Sequence, residues 1–376
     1  MLRAIGLMSG TSLDGVDAAW LETDGERVGR LGRSLTLPYD DALRADLRRL
    51  LDRAPGLAAD DPALLDATRR LTLRHAEAVA ALEAEADIIG FHGQTILHRP
   101  AGRRTWQIGD AALLARLTGC PVAWDFRGAD VAAGGEGAPL VPVFHAALAA
   151  DLERPLAVLN IGGVANVTFI GADGVLLACD TGPGNGPLDD WAQRHLGTDC
   201  DRDGALALAG RADAAVLGRL LAHPYFARPA PKSLDRLDFS AALAESGLAA
   251  LSPADGAATL VAFLAEAVAR TVLPQPPRRW LVTGGGRRNP AIMAALRARL
   301  PAPVAPVEAV GWDGDALEAQ CFGLLAVRVQ RGLPLSFPGT TGVASPLAGG
   351  RIAVPGDQPS ANTAANTASP TTTQVT

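Results

Sequence analysis

Arg3-Ala-Ile-Gly-Leu-Met-Ser-Gly-Thr-Ser-Leu-Asp-Gly-Val-Asp-Ala-Ala-Trp-Leu21 is the stretch on which the fold turns. An apolar run to Met8, a glycine-bounded turn from Ser9 to Gly15 and a second apolar run from Val16 predict strand, turn, strand. The same pattern returns in mid-chain. Leu156 to Asn160 leads into Ile161-Gly-Gly-Val-Ala165, and Asn166 to Ile170 leads away. Between these hairpins the periodicity predicts a helix from about Pro62 to Glu85 and a buried strand at Asp87–Phe91. A strand at Thr105–Ile108, a helix at Asp110–Leu117 and a strand at Pro121–Trp124 follow. Later come a strand at Val175–Cys179, a strand at Arg279–Thr283 that opens into Gly284-Gly-Gly286, and a helix starting near Asn289-Pro290. Leu260, Phe263, Leu264, Ala267 and Val268 form one helical stripe; Leu317, Cys321, Leu324 and Val327 form the last. Helices alternating with short apolar strands specify an α/β protein. From Gly356 onward Asn, Thr, Ser, Ala and Pro dominate, which predicts a disordered tail.

The chain has 376 residues, 48% hydrophobic and 20% charged, with 34 basic and 40 acidic side chains and a net charge of −6. That length supplies two or more domain-sized cores, and mild acidity argues against a nucleic-acid or anionic-membrane surface. The opening apolar run is too short for a signal peptide, and no uninterrupted stretch suits a membrane span. A cytoplasmic protein is expected. Cys120, Cys179, Cys200 and Cys321 are too scattered for a disulfide framework or a zinc site. Lys232 is the single lysine and lies in Ala-Pro-Lys-Ser, so a Walker A phosphate loop is excluded.

Three glycine-rich strand exits remain: Gly10 to Gly15, Gly162-Gly163 and Gly284 to Gly286. Backbone N–H groups that approach closely can cradle phosphate, and a nearby carboxylate can serve Mg²⁺. Taken alone, the first of them reads more readily as an ordinary glycine hairpin. Early, central and late together, they point to a nucleotide held between two lobes. The late glycines lack the G-x-G-x-x-G spacing of a dinucleotide fold. Asp180 ends a strand and enters Thr-Gly-Pro-Gly-Asn, which suits either a catalytic carboxylate or a loop cap. Phe91-His-Gly-Gln-Thr95 and Trp124-Asp-Phe-Arg127 set planar polar groups beside aromatic faces, as sugar sites do. A satisfied structural histidine at His92 and a plain ion pair of Asp125 with Arg127 are the bland alternatives. Glu318 reads as solvated, or as facing the cleft.

Ile5 to Asp17, Gly90-Phe-His-Gly-Gln-Thr95, Gln107-Ile-Gly-Asp110, Asp125-Phe-Arg127, Asn160 to Asn166, Cys179 to Asn185, Pro231-Lys-Ser233 and Val282 to Asn289 together resemble the anhydro-N-acetylmuramic acid kinase family. The resemblance covers roughly residues 3–345. It implies a two-lobed actin-like ATPase (ribonuclease H-like) fold with a central cleft: residues 1–127 as the first lobe, 128–355 as the second and 356–376 as the tail. It implies that ATP and water convert 1,6-anhydro-N-acetylmuramate, released in cell-wall turnover, to N-acetylmuramate 6-phosphate. The roles it carries over are a base at Asp180 and nucleotide contacts at Gly10, Thr11, Ser12, Leu13, Asp14, Gly15, Val16, Asp17, Gly162, Gly163, Gly284, Gly285, Gly286 and Asn289. Sugar contacts fall on His92, Gln94, Asp125 and Arg127, Mg²⁺ on Asp14 or Asp17, and a homodimer is implied. Sugar kinases of the wider superfamily carry Asp where Met8 and Ser9 stand, which leaves Asp14 and Asp17 both open. A kinase of this fold for another amino sugar, or an actin-like ATP-binding sensor without need of Asp180, are the competing functions.

Overall fold

Leu2 to Met8 pair antiparallel with Asp17 to Thr23, and the turn between them follows the glycine spacing. The computed structural model describes residues 1–10, 12–234 and 238–357. Thr11 and the part of the expected tail from residue 358 on lie outside them. The strands run in chain order: β1 Leu2–Ser9, β2 Gly15–Thr23, β3 Val28–Pro38, β4 Ile88–Arg99, β5 Arg104–Ile108, β6 Val122–Trp124, β7 Leu156–Ile161, β8 Val164–Ile170, β9 Leu176–Pro183, β10 Trp280–Thr283, β11 Val304–Pro306 and β12 Arg351–Ala353.

They form two sheets with one plan. In the first, the order β3-β2-β1-β4-β6 is closed at its edge by β12, and β5 pairs with the long outer part of β4. In the second, the order is β9-β8-β7-β10-β11. Each sheet has an antiparallel three-strand meander, and its first strand then pairs in parallel with the fourth. With β5 and the edge strand β12 left out of the first sheet, that shared order, third-second-first-fourth-fifth within each unit, is the ribonuclease H-like topology. Its duplication is the plan of the actin-like ATPases, as the resemblance implied.

The two units are Met1–Ala150 with the described residues from Ala316 on, and Asp151–Asp315. The divisions therefore fall at 150/151 and 315/316 rather than at 127/128, and the chain returns to its first unit at the end. Helices Gly128–Ala132 and Leu317–Gln330 pack on the first sheet, and helix Val141–Leu148 packs against Leu317–Gln330. Helix Leu317–Gln330 touches backbone. A Cβ on Gly6 would stand 1.7 Å from the Ala319 carbonyl oxygen, and one on Gly90 would stand 1.9 Å from that of Phe322. On the helix side, a Cβ on Gly323 would meet Leu21 at 2.3 Å. Helices Pro62–Ala81 and Ala111–Thr118 share the apolar core formed by β1, β2 and β4. In the second unit, helix Pro253–Ala269 buries Leu260, Phe263, Leu264, Ala267 and Val268, the stripe that the spacing predicts.

Several boundaries move. The first long helix ends at Ala81, and Glu83 then takes a left-handed φ of 49°. Asp110 caps its helix from outside through Leu113 N–H at 2.8 Å. Strand β9 runs through Asp180 to Pro183 rather than stopping at Cys179. Strand β3 and helix Asp41–Arg53 have no counterpart in the sequence reading. Among the described residues, no helix is long and apolar enough to cross a membrane.

The glycine contact has a measurable cost. Gly90→Ala should destabilise the protein by about 3 kcal/mol or more, the upper range for overpacking, because a backbone atom must move. Gly102→Ala, with nothing within 4 Å of the added carbon, should be near neutral. Denaturant midpoints of the two variants check this.

Candidate active site

The first glycine turn is fixed from behind. Strand β1 delivers Ser9 into the interior, and Leu13 sits buried in the turn with a left-handed φ of 59°. Such a φ is costly for a branched side chain and persists only when neighbours hold it. The Leu13 carbonyl accepts from Arg44 Nε at 3.0 Å, and the Asp14 carbonyl accepts from Tyr39 N–H at 3.1 Å. Ser12 and Asp14 are exposed, whereas Asp17 is half-buried and accepts from Thr36 Oγ1 at 2.5 Å. Among the described residues no cluster of three metal-ligating side chains occurs. Asp14 and Asp17 are hard oxygen donors on one hairpin. That donor set fits Mg²⁺, which keeps most of its waters and takes one or two carboxylates.

The sugar-type residues divide into two groups. Arg127 donates from Nε to His92 Nε2 at 3.1 Å and from Nη1 to the Gly137 carbonyl at 2.7 Å. His92 Nε2 must then be an acceptor, which puts the ring proton on Nδ1, where it meets the Gly93 carbonyl at 2.7 Å. Burial and the Arg127 charge hold the His92 pKa well below its usual value. His92 therefore orients Arg127. Gln94 is fully buried and used at both ends: Oε1 accepts from Ser9 Oγ, and Nε2 donates to the Thr95 carbonyl at 3.2 Å. The polar atoms of both side chains already have partners within the protein, although His92 also lines the concavity beside Asp125. Asp130, absent from the sequence reading, accepts from Gly137 N–H and Thr341 Oγ1, both at 2.6 Å, and so fixes the loop that Arg127 reaches.

Asp125 differs. Its φ is 58°, burial pushes its carboxyl up against the pull of Arg351, and Arg351 Nε lies 3.3 Å from Oδ2. It borders a concavity walled by Phe91, Trp106 and Trp124, with Gln107 and Arg351 also on its lining. The buried Trp106 indole N–H has no partner among the described residues. Glu318, in the first turn of helix Leu317–Gln330, is exposed on one side. Its carboxyl is pushed up by its dense surroundings and by Asp17, and pulled back by Arg127.

In the second unit the two remaining glycine exits meet. A Cβ on Gly284 would lie 2.4 Å from Asn160 Oδ1, and one on Gly184 would lie 2.2 Å from the Gly162 carbonyl oxygen. Asn185 holds the Gly162-Gly163 exit to the end of β9: its N–H donates to the Gly162 carbonyl at 2.7 Å and its Nδ2 to the Ile161 carbonyl at 3.2 Å. Gly163 and Gly285 are exposed at this junction. Asn289 Oδ1 caps helix Pro290–Arg299 through Ala291 N–H at 3.0 Å, and its Nδ2 holds the Asp201 carbonyl at 3.3 Å. This is helix-capping work, and its effect on the junction is indirect.

Asp180 lies half-buried on β9. Oδ2 accepts from Leu234 N–H at 2.7 Å, and its own carbonyl accepts from Tyr225 Oη at 2.7 Å. Burial raises its carboxyl to about 6, against the opposing pull of Leu234 N–H and the Lys232 charge. Lys232 does not pair with it. Its Nζ donates to the Tyr225 carbonyl at 3.3 Å and sits 4.3 Å above the Tyr225 ring. Tyr225 and Lys232 together buttress Asp180, a role visible only once the strand and loop are adjacent.

A family model described as anhydro-N-acetylmuramic acid kinase matches residues 2–355. The chain belongs to the anhydro-N-acetylmuramic acid kinase family. Relatives bearing that name include one from Acidiphilium cryptum, 69% identical over 94% of this chain and 99% of its own length. One from Gluconobacter oxydans is 61% identical over 93% and 99%, and one from Rhodospirillum rubrum is 58% identical over 92% and 93%. Membership in this kinase family covers both units, so the Asp180 strand and the hairpin at Gly10 fall inside the matched region alike.

The tautomer of His92 is directly measurable. Its ring should stay neutral with the proton on Nδ1 between pH 5 and 8, read by ¹⁵N chemical shifts of the imidazole. A titration centred near the ordinary value of about 6.5 would contradict the Arg127 geometry.

Proposed function

We propose that the chain uses ATP and water to convert 1,6-anhydro-N-acetylmuramate to N-acetylmuramate 6-phosphate in murein recycling. The observation that carries this reading is Asp180. It is a half-buried carboxylate with a pKa near 6, Oδ2 fixed by Leu234 N–H, and Oδ1 without a hydrogen bond among the described residues. A base must be ionised at working pH yet basic enough to take a proton, and a pKa just below neutrality meets both needs. In this reading water adds to the anomeric carbon and gives its proton to Asp180 Oδ1. The C1–O6 bond breaks, and the O6 electron pair forms the new bond to the γ-phosphorus as ADP departs. The transferred phosphoryl thus occupies the place that a proton from an acid takes in ordinary glycoside hydrolysis.

The reading assigns phosphate to the Gly10–Asp17 turn and adenosine to Gly284–Gly286 beside Gly162 and Gly163, with Asn289 supporting that junction. The sugar is assigned to the aromatic concavity, with Asp125 accepting from its hydroxyls. The remaining nitrogen of Arg127 is directed to its carboxylate, since guanidinium is the best match for that group. Asp17, with Asp14 near it, would hold Mg²⁺ through water; the ion would neutralise charge on the phosphates. A homodimer in the cytoplasm accompanies this reading through the family resemblance.

Asp180→Asn should lower kcat by about 10²-fold or more, abolishing ring opening and phosphorylation together. Loss of only one of the two would break the coupling. In the wild type, kcat/KM should fall as pH drops through about 6, because protonation removes the base. Turnover in ¹⁸O-water should place label at C1, and label in the phosphate would overturn the assignment of the attacked atom. Faster phosphorylation of open N-acetylmuramate than of the anhydro sugar would replace the substrate.

A further inference from the structure

Tyr39 holds both ends of the first glycine turn. Its N–H donates to the Asp14 carbonyl at 3.1 Å, and its hydroxyl lies 2.6 Å from Ser9 Oγ, where β1 gives way to the turn. Ser9 is 1% exposed, Tyr39 4% and Gln94 0%, so no solvent can replace these bonds.

The direction of each proton follows from Gln94. An amide oxygen placed 3.2 Å from the Thr95 carbonyl oxygen would be repelled, which makes the nearer Gln94 atom Nε2 and leaves Oε1 facing Ser9. An amide oxygen only accepts, so Ser9 donates to it. A hydroxyl has one proton. Tyr39 must therefore donate to Ser9, and the chain Tyr39 Oη–H to Ser9 Oγ–H to Gln94 Oε1 has a single polarity. Beyond Gln94 on β4 lie His92 and Gly93 of the aromatic concavity.

We propose that Tyr39, Ser9 and Gln94 form a positioning relay that fixes the nucleotide turn on β1 to the sugar-side strand β4, with Tyr39 as the clamp across the turn. This rests on the assignment of nucleotide phosphates to the Gly10–Asp17 turn. None of the three touches substrate. Each acts through the backbone of the turn, whose left-handed Leu13 needs outside support. Tyr39→Phe removes one oxygen and leaves the ring and the Asp14 bond in place. Ser9→Ala removes both hydrogen bonds and strands two buried groups, so its effect should be larger.

The test is calorimetric titration of the full chain with the non-hydrolysable analogue AMP-PNP in Mg²⁺, alongside steady-state kinetics and thermal melts. Tyr39→Phe should weaken analogue binding and raise KM for ATP by about 3- to 10-fold, the worth of one hydrogen bond. Ser9→Ala should exceed it at about tenfold or more. KM for the anhydro sugar should stay within about twofold in Tyr39→Phe. A lower Tm with unchanged analogue affinity in both variants would reduce the relay to plain core structure and overturn the proposal. So would equal losses of affinity for nucleotide and sugar. Binding is read without turnover, so a wild type that binds AMP-PNP but leaves the anhydro sugar untouched refutes the proposed substrate alone. A wild type that binds no analogue overturns the nucleotide turn and the relay with it.

Discussion

Helix Leu317–Gln330 rests on the backbone of β1 and β4, and everything the first unit offers to chemistry depends on that contact. Gly6 and Gly90 leave the sheet surface bare, and Gly323 does the same for the helix. Close approach of this kind gives dispersion contacts without side-chain entropy to lose and admits almost no sliding, because the facing atoms are carbonyls and amides. The helix then fixes Phe322 against His92 and Phe126, with ring centroids 4.6 and 5.3 Å apart. It also sets Glu318 near Arg127 and Asp17. A glycine pattern with no side-chain atoms of its own decides where the polar side chains stand.

In the second unit the same economy takes another form. Glycines there bring loops together edge to edge, and Asn185 holds the Ile161–Gly162 loop against the end of β9. Asp180 is raised by burial while its neighbours Tyr225 and Lys232 bond to each other and to its backbone. Had Lys232 paired with the carboxylate directly, attraction would have drawn its pKa down and removed its use as a base near neutrality. The lysine is close enough to temper the shift and occupied enough not to cancel it.

The hairpins, the glycine exits and Asp180 were legible because they rest on local requirements: apolar runs, turn residues and a carboxylate at a strand end. Strand β3 was hidden by Arg30 and Arg33, which stand three residues apart on an exposed edge strand and break the apolar alternation. Helix Asp41–Arg53 could have been found, since Asp40 caps it and Leu43, Leu47 and Leu50 share one face. The partner of the last helix could not be, because a helical stripe says that a face is buried and not which sheet buries it. His92 and Gln94 show a second limit. The same donors and acceptors that suit a sugar also suit a neighbouring side chain, and only the packed geometry distinguishes the two.

The discontinuous first unit has a consequence for biosynthesis. A ribosome releases β1 and β4 well before Ala316, so their glycine-lined surface emerges with its covering helix still unmade. Residues 151–315 form a continuous unit that can acquire its own sheet and core during that interval. The first unit must wait for the closing segment, and until then its bare backbone strip is open to wrong partners. Completion of the first unit is therefore tied to synthesis of residues 317–330, and a product truncated before residue 316 would lack the element that seals the strands of that unit.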